Sequence, residues 1–181
     1  MSDVAVHLVP LRRRHLRSVL KIESQVYPRP WTLTLFMSEL NMRTSRYYVA
    51  ARVGSNLVGY GGLMYTGDEA HITNIAVDPA WQRNQIGSRV MLNLVRAGIG
   101  FGAKHLTLEV RVSNAGAQAM YGSFGFRTEG VRKNYYTESN EDALIMWVHD
   151  IDTSEYAEGL AGIEAGITGA TIDETDVPAR R

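Results

Sequence analysis

The sequence predicts a mixed α/β (α+β) fold in which helices flank a mostly antiparallel sheet. Short segments of alternating apolar and polar residues, bounded by glycine, asparagine and aspartate, indicate strands. Longer segments with apolar residues at helical spacing lie between them, in the order β-α-α-β-β-β-α-β-α-β-β. Strands outnumber helices in this order, which is typical of one layered domain rather than a helical bundle.

The elements follow from these patterns in chain order. The first strand is predicted at 4–9, and a helix follows with apolar positions from Leu11 to Val26. Pro28 and Pro30 end that helix, and a second helix opens at Trp31. The remaining predictions are strands at 46–53, 57–65 and 69–77, a helix from Ile86, a strand at 104–112, a helix at 114–123, and strands at 126–135 and 142–149.

The strand at 104–112 has one apolar face and one polar face. Leu106, Leu108, Val110 and Val112 are predicted to point to the core, and His105, Thr107, Glu109 and Arg111 to the other side. A central strand with a polar face borders water or a cleft.

The charges divide the chain unequally. Residues 1–151 hold 17 lysines and arginines against 12 acids, whereas residues 152–181 hold two arginines against seven acids. The second segment has few large apolar side chains, so we expect it to be mostly disordered, with at most one short helix near 154–165. A solubilising acidic tail is the simplest interpretation, and a weak self-inhibitory contact with the basic body is the alternative.

Composition excludes several classes of protein. The absence of cysteine excludes disulfides, thiolate metal sites and an acyl-cysteine intermediate. The five histidines are scattered without a pair at ligand spacing, so no metal is expected. The sequence has no bilayer-spanning apolar segment and no signal-peptide pattern, which predicts a cytoplasmic protein without a membrane partner. The basic stretch LRRRHLRSVLK lacks interleaved aromatic residues, which favours a solvated helix face over contact with nucleic acid.

Four segments carry a resemblance to a known family. They are NIAVDPAWQRNQIGSR, LEVRVSNAGAQAMYGSFGF, RKNYY followed by EDALIM, and IESQVYPRPW, and they extend over nearly all of residues 1–150. In this order and spacing they resemble the GNAT family of acetyl-CoA-dependent N-acetyltransferases, and within it the RimI-type enzymes that acetylate the N-terminal alanine of a ribosomal protein. The resemblance implies a GNAT domain over 1–151 with a splayed central strand pair.

The resemblance also implies an acetyl-CoA site built largely from backbone. The backbone of Ile75, Ala76 and Val77 would pair with the pantetheine amides, and Asn114 would be a helix cap, a pantetheine contact or both. The pyrophosphate loop would be formed by Arg83, Asn84, Gln85, Ile86, Gly87 and Ser88. Backbone N–H groups at the start of a helix suit a diphosphate whatever the side chains are.

Gln85 departs from the family pattern, which has glycine at this position. If the backbone there has a positive φ, a side chain costs about 1–2 kcal/mol, and otherwise the cost is small. Gly87, Gln82, Arg83 and Arg89 remain, so the sequence predicts a working phosphate loop with about tenfold weaker binding.

Two catalytic roles follow from the resemblance. Glu109 would take the proton from an N-terminal amine, directly or through one water, and Tyr121 would protonate the leaving thiolate. A backbone N–H near Val77 would polarise the carbonyl, and transfer would be direct, within a ternary complex. The residues alone leave a plainer interpretation open, in which Glu109 pairs with Arg111 and Tyr121 packs on the core.

Two loops are expected to bind the acceptor. They contain Tyr27 and Trp31 in YPRPW, and Tyr135 and Tyr136 in RKNYYTESNED. The resemblance implies that these loops form a tunnel for a peptide N-terminus. The alternatives are that Trp31 packs on Phe36 and that the tyrosines are edge-strand residues.

The hypothesis from sequence is therefore an N-terminal protein acetyltransferase, a monomer or weak dimer, that uses acetyl-CoA to acetylate a protein N-terminus. The expected acceptor is the alanine of a small-subunit ribosomal protein. Two alternatives stay open: acetylation of lysines or small amines, and a non-catalytic acyl-CoA sensor, which only Gln85 suggests.

Overall fold

The computed structural model describes residues 5–177. The strands are β1 (Val6–Pro10), β2 (Arg46–Val53), β3 (Asn56–Thr66), β4 (Glu69–Val77), β5 (His105–Arg111), β6 (Arg127–Tyr136), β7 (Glu141–Val148) and β8 (Thr171–Asp173). The helices are α1 (Leu16–Val26), α2 (Leu33–Asn41), α3 (Ile86–Gly100), α4 (Ala115–Ser123) and α5 (Ser154–Ala165). The strand predictions are confirmed to within two residues, although residue 4 lies outside the described range.

The strands described here form a single mixed sheet. Their order is β6-β7-β5-β4-β3-β2-β1-β8, and neighbours are antiparallel except for β4 with β5 and β1 with β8. Within residues 5–177, β4 and β5 pair through Glu69 with His105, Ala70 with Leu106 and His71 with Thr107, and not beyond. The two central strands therefore diverge toward the C-terminal end of β4, as the family resemblance implies.

Two apolar cores lie on opposite faces of the sheet, because successive side chains of β2 alternate between them. Val49 and Ala51 belong to the core under α3, α4 and α5, and Tyr48 and Ala50 belong to the core under α1 and α2. Gly61 of β3 brings α3 close to the sheet, since a Cβ there would lie 2.7 Å from Val90 Cγ1. This contact fixes the helix whose first turn borders the site.

The polar and apolar faces of β5 are mostly as predicted. Leu106, Leu108 and Val110 are buried, whereas Glu109 and the other alternate residues are partly exposed. The prediction for Val112 is wrong, because the strand ends at Arg111 and leaves Val112 49% exposed.

The prediction of a mostly disordered tail is also wrong for residues 152–177. α5 forms where a short helix is allowed, and its N-cap Thr153 accepts a hydrogen bond from the Tyr156 N–H (3.3 Å). Leu160 is buried in the core under α3. The tail therefore packs on the body instead of extending from it, and its last residues, 178–181, lie outside the described range.

After α5 the tail joins the sheet. β8 runs parallel to β1, where the Val6 N–H donates to the Ala170 carbonyl (2.9 Å) and the Glu174 N–H to the Leu8 carbonyl (2.8 Å). The physical reason lies in the body, because a row of polar residues on α3 binds the tail: Gln85, Arg89, Asn93 and Arg96. A prediction from the tail's composition considers only the apolar residues of the tail. It does not include the polar residues of α3 that bind the tail.

Candidate active site

A cavity of about 580 Å³ opens where β4 and β5 diverge. Its walls come from β4, the loop before α3, β5 and α4, with the end of α1 and of β6 at its sides. The residues predicted for the site that line it are Tyr27, Ile75, Ala76, Val77, Arg83, Gln85, Ile86, Gly87, Ser88, Glu109, Asn114, Tyr121 and Tyr136. Gln82 lines it as well.

On one side of the cavity, β4 presents main-chain groups. Its far edge pairs with β3, where Gly61 lies opposite Ile75 and Gly59 opposite Val77. The Tyr27 hydroxyl donates to the Ile75 carbonyl over 2.7 Å. Since the described part of β5 does not pair with β4 beyond His71, the near edge can hydrogen-bond an extended ligand as an added strand would.

The segment Arg83–Ser88, called the phosphate loop below, turns directly into α3. The first intrahelical bond runs from the Arg89 N–H to the Gln85 carbonyl (3.1 Å). The N–H groups of Ile86, Gly87 and Ser88 therefore have no acceptor inside the helix, and all three residues line the cavity. With the helix dipole behind them, they form a site suited to an anion.

The conditional prediction for Gln85 is resolved by its backbone. Gln85 has φ 57° and ψ 20°, which is left-handed, and Arg83 also has a positive φ of 67°. A non-glycine residue in this conformation costs about 1–2 kcal/mol. The side chain offsets part of this cost, because Gln85 Oε1 accepts from both the N–H and the hydroxyl of Thr168 (2.9 Å each).

Arg89 does not lie in the cavity, contrary to the sequence interpretation that kept it among the basic groups near the phosphate. It is 2% exposed, and its guanidinium donates to the Thr168 carbonyl and the Thr171 hydroxyl of the tail. Arg83 does line the cavity and remains a basic side chain at the loop.

Glu109 stands on the opposite wall. The Nε2–H of His71 donates to Glu109 Oε2 over 2.5 Å, and Arg132 Nη2 lies 3.5 Å from Oε1. The hydrogen bond from His71 is the largest influence on Glu109 and, with the charges of His71 and Arg132, it holds the carboxyl pKa below its ordinary value although burial opposes it. Glu109 is therefore a carboxylate at neutral pH.

The plainer interpretation of Glu109 is wrong, because Arg111 is engaged elsewhere. Arg111 donates to Glu138 and, over 3.2 Å, to Glu141, and its Cζ lies 3.7 Å from the centre of the Tyr136 ring. Glu109 instead pairs with His71 and Arg132.

Tyr121 is 6% exposed and lines the same cavity. Burial raises the pKa of its hydroxyl well above the ordinary value, and the nearby Tyr136 has a smaller effect in the same direction. Burial likewise raises the pKa of Tyr136 to about 12, although the Arg111 charge opposes the shift. Both hydroxyls are therefore protonated and able to donate hydrogen bonds at neutral pH. Tyr121 also packs at 6.1 Å from the Phe126 ring, so it has a core contact as well.

Asn114 is a helix cap, as one of its two predicted roles requires, and its predicted contact with pantetheine stays a prediction. Its Oδ1 accepts from the Ala117 N–H (3.1 Å), which makes it the N-cap of α4, and it also lines the cavity.

Three predicted residues do not line the cavity. Asn84 folds back so that Nδ2 donates to the carbonyls of Trp81 and Gln82 (3.1 Å each). Trp31 packs on Phe36 with ring centres 5.2 Å apart, which is the alternative considered from sequence. Tyr135 is 46% exposed and stacks edge-on against the Tyr136 ring at 5.2 Å.

Sequence reasoning missed His71 and Glu23. His71 could have been found from register, since it lies opposite Thr107 and therefore two positions from Glu109 on the paired strand. Glu23 is 1% exposed on α1, where it accepts from the Trp31 N–H (2.9 Å) and the Tyr60 hydroxyl. Burial raises the pKa of Glu23 to about 7, against the opposing hydrogen bond from Trp31. A lone glutamate in a helix gives no signal of this kind in sequence.

Over residues 5–177, no helix combines the length and apolarity needed to cross a membrane. The same residues contain no group of three histidine, aspartate or glutamate side chains placed to hold a metal ion.

Comparison with known proteins agrees with this geometry. Residues 16–126 match the model of the acetyltransferase (GNAT) family. A Bacillus subtilis (strain 168) protein, provisionally named a [ribosomal protein bS18]-alanine N-acetyltransferase, is 39% identical over 138 residues, which are 76% of this chain and 91% of the relative. The Escherichia coli (strain K12) protein named [ribosomal protein bS18]-alanine N-acetyltransferase is 34% identical over 75% of this chain and 92% of its own length.

A solved structure gives the same result. The crystal structure of the ribosomal-protein-S18-alanine N-acetyltransferase from Escherichia coli superposes with a TM-score of 0.73 at 32% identity, over 80% of this chain and 94% of the other. The diverging strand pair, the helix-start loop and the family match together lead to one conclusion. The chain belongs to the acetyltransferase (GNAT) family.

Proposed function

We propose that this chain is an N-terminal protein acetyltransferase that moves an acetyl group from acetyl-CoA to the α-amine of a protein. The catalytic domain is residues 1–151, and the acceptor is the N-terminal alanine of a small-subunit ribosomal protein. The observation that carries the proposal is one cavity with main-chain groups on the β4 side and the Glu109 and Tyr121 side chains on the other. The names of the two relatives support the choice of acceptor.

The residues present fit acetyl-CoA, which supplies an acetyl group activated as a thioester. The open edge of Ile75–Val77 suits the amides of the pantetheine arm, with Asn114 across the cavity. The unpaired N–H groups at the start of α3 suit the diphosphate, with Arg83 as a basic neighbour. Asn84 contributes its backbone, since its side chain is folded onto the loop.

In this proposal Glu109 takes the proton from the attacking amine. A protein N-terminus has a pKa of about 7.7–8.0, so most of it is protonated and unreactive at neutral pH. The Glu109 carboxylate attracts the ammonium form and accepts its proton, directly or through one water. His71 orients the carboxylate through the 2.5 Å hydrogen bond.

Tyr121 and the backbone act on the other reacting atoms. The protonated hydroxyl of Tyr121 donates to the sulfur of the leaving thiolate as negative charge develops there. A backbone N–H near Val77 polarises the carbonyl oxygen of the acetyl group. The acyl group passes directly to the amine, because the chain has no cysteine to carry it.

The acceptor peptide enters between the end of α1 and the end of β6. Tyr27 and Tyr136 line the cavity there, and Tyr135 is exposed beside them. Trp31 has an indirect role in acceptor binding, because it packs on Phe36 and so fixes the turn that follows Tyr27. We propose further that the enzyme acts in the cytoplasm as a monomer or weak dimer, and that it contacts a protein and not nucleic acid or a membrane.

The experiment is acetyl transfer from acetyl-CoA to peptides with free N-termini that begin with alanine, serine or methionine. A lysine peptide with a blocked N-terminus and a polyamine complete the panel. We expect the alanine peptide to be acetylated fastest, and Glu109→Gln to lower its kcat by about 10²–10³-fold with acetyl-CoA affinity unchanged. Glu129→Gln, which removes an exposed carboxylate that pairs with His149 and does not line the cavity, is the matched control.

Faster acetylation of the lysine peptide or the polyamine would replace this acceptor with a side-chain or small amine. Acetyl-CoA binding without transfer to any amine would show a sensor and not an enzyme.

A further inference from the structure

The phosphate loop is tied to the tail at Gln85. Its Oε1 accepts two hydrogen bonds from Thr168, one from the N–H and one from the hydroxyl, at 2.9 Å each. Its Nε2 donates to the Gly166 carbonyl over 3.2 Å. The side chain therefore uses both ends of its amide on the turn after α5, which is called the tail turn below (Gly166–Thr168).

This contact is the first of a continuous row along α3. One turn further, the buried guanidinium of Arg89 donates to the Thr168 carbonyl, and one turn beyond that Asn93 donates to Asp173 Oδ2 (2.9 Å). Arg89 and Asn93 are each 2% exposed. β8 fixes the other side of the tail against β1. The segment that contains the tail turn is thus attached to α3 on one side and to β1 on the other.

The backbone of Gln85 gives this support a consequence for the ligand. Gln85 holds a left-handed conformation that glycine adopts readily and glutamine does not. The residues that follow it are the ones whose N–H groups lack acceptors inside α3. Release of the side chain would let the backbone of Gln85 relax, and those N–H groups would turn with it.

We propose that Gln85 is a positioning residue. The hydrogen bonds between its side-chain amide and the tail turn hold the phosphate loop in the conformation that binds a diphosphate. The inference rests on the proposed function, because it takes the phosphate loop as the diphosphate site. In this chain the tail restrains the phosphate loop through the side-chain amide of Gln85. Gln85→Gly removes the backbone strain but also these hydrogen bonds, and the glycine leaves the loop freer before the ligand binds. This variant should therefore bind more weakly and not more tightly.

The test compares two thioesters on the full-length protein. Acetyl-CoA carries a diphosphate, and S-acetylpantetheine lacks it while keeping the arm that lies along β4. Dissociation constants are measured by calorimetry for wild type, Gln85→Ala, Gln85→Gly, Thr168→Ala and the double variant Gln85→Ala with Thr168→Ala. Glu164→Gln is the matched control, since it breaks the exposed Arg96–Glu164 pair between α3 and the tail without touching the loop.

We expect acetyl-CoA to bind about tenfold more weakly to Gln85→Ala, about threefold more weakly to Gln85→Gly and about twofold more weakly to Thr168→Ala. The double variant should match Gln85→Ala, because the two side chains act through the same contact. The affinity for S-acetylpantetheine should stay at the wild-type value in every variant, and Glu164→Gln should bind both thioesters as wild type does.

Several results would overturn the inference alone. They are unchanged acetyl-CoA affinity in Gln85→Ala, tighter binding by Gln85→Gly, equal losses for the two thioesters, or an equal loss in Glu164→Gln. Failure of the wild-type protein to bind acetyl-CoA is a different result, since it would overturn the proposed function and this inference with it.

Discussion

The two walls of the cavity present their binding groups in different ways. On the β4 side, Ile75–Val77 and the phosphate loop offer main-chain groups that are placed by β3 and by the tail. On the β5 side, Glu109 and Tyr121 offer side chains whose chemistry depends on single atoms. The first wall can therefore carry glutamine where the family pattern has glycine, whereas the second should tolerate little change.

Two carboxyl groups show the same contrast in their electrostatics. Glu109 faces the cavity with a hydrogen bond from His71, and its pKa is lowered. Glu23 lies on α1, where the Trp31 N–H and the Tyr60 hydroxyl donate to it, and burial raises its pKa to about 7. One environment keeps a carboxylate charged at neutral pH, and the other brings the protonated and charged forms close to balance, so that two identical groups differ in charge.

After Glu109→Gln, the largest predicted effect also tests the side-chain wall. Tyr121→Phe removes one hydroxyl and should lower kcat by about 10²-fold, because the leaving sulfur loses its hydrogen-bond donor. Acetyl-CoA affinity should change less than twofold, and steady-state kinetics with an alanine peptide measures both. Tyr65→Phe is the control, since Tyr65 stacks on Phe101 away from the cavity. A Tyr121→Phe enzyme with wild-type kcat would remove Tyr121 from the mechanism.

The next effect separates orientation from charge at Glu109. His71→Ala removes the main cause of the lowered Glu109 pKa, so this pKa should rise and the acid limb of the pH–rate profile should move to higher pH. The plateau rate should fall about tenfold as the carboxylate loses its fixed orientation. His71→Gln, which keeps a donor, should recover part of that rate. A profile that does not move in His71→Ala would show that the histidine has only a packing role.

A pair of substitutions at one residue tests the main-chain wall. Ser88→Pro removes an N–H in the first turn of α3, where no helical hydrogen bond is lost, and should weaken acetyl-CoA binding about fivefold to tenfold. Ser88→Ala keeps the N–H and should change affinity less than twofold. Calorimetry measures both, with a thermal melt to verify that each variant is folded. Equal losses in the two variants would mean that the serine side chain, and not its backbone, holds the ligand.

The smallest effect concerns Glu23 and is a change in stability. Its pKa is about 7 in the folded chain against an ordinary value of 4.5, so folding favours the protonated form. As pH rises from 4.5 to 7, the unfolded chain releases this proton before the folded chain does, and the free energy of unfolding falls; above 7 it is constant.

Glu23→Gln copies the protonated carboxyl and should remove that slope. Wild type should therefore lose about 1–2 kcal/mol relative to the variant between pH 5 and pH 8, measured by urea unfolding. Glu155→Gln on the exposed face of α5 is the control. Parallel stability curves for wild type and Glu23→Gln would show that the buried carboxyl does not titrate in this range.

Local patterns predicted most of this molecule, and the exceptions have a common cause. Strand bounds and the position of α5 follow from alternation and spacing, which act over a few residues. The order of the tail depends on Gln85, Arg89 and Asn93, which lie some 80 residues earlier, and composition does not register such partners.

The site divides in the same way. The residues that the family resemblance assigned in contiguous motifs, Ile75–Val77 and the phosphate loop, lie together at the cavity except for Asn84. His71 was missed because its partner Glu109 is on another strand, and Glu23 because burial, not residue type, changes its pKa. Trp31 and Tyr135 lie in the two predicted loops, but their side chains do not line the cavity.

The pairing of β8 with β1 has a consequence for how the protein behaves among its own copies. Without β8, β1 would be the outermost strand, and its unpaired N–H and carbonyl groups would be available to a strand of another chain. β8 covers this edge of β1 with three residues, of which the last is Asp173, and Glu174 and Asp176 follow. The new outer edge is therefore short and negatively charged. Proteolytic loss of the tail would thus expose the unpaired hydrogen-bonding groups of β1, and we expect the shortened protein to aggregate through this edge.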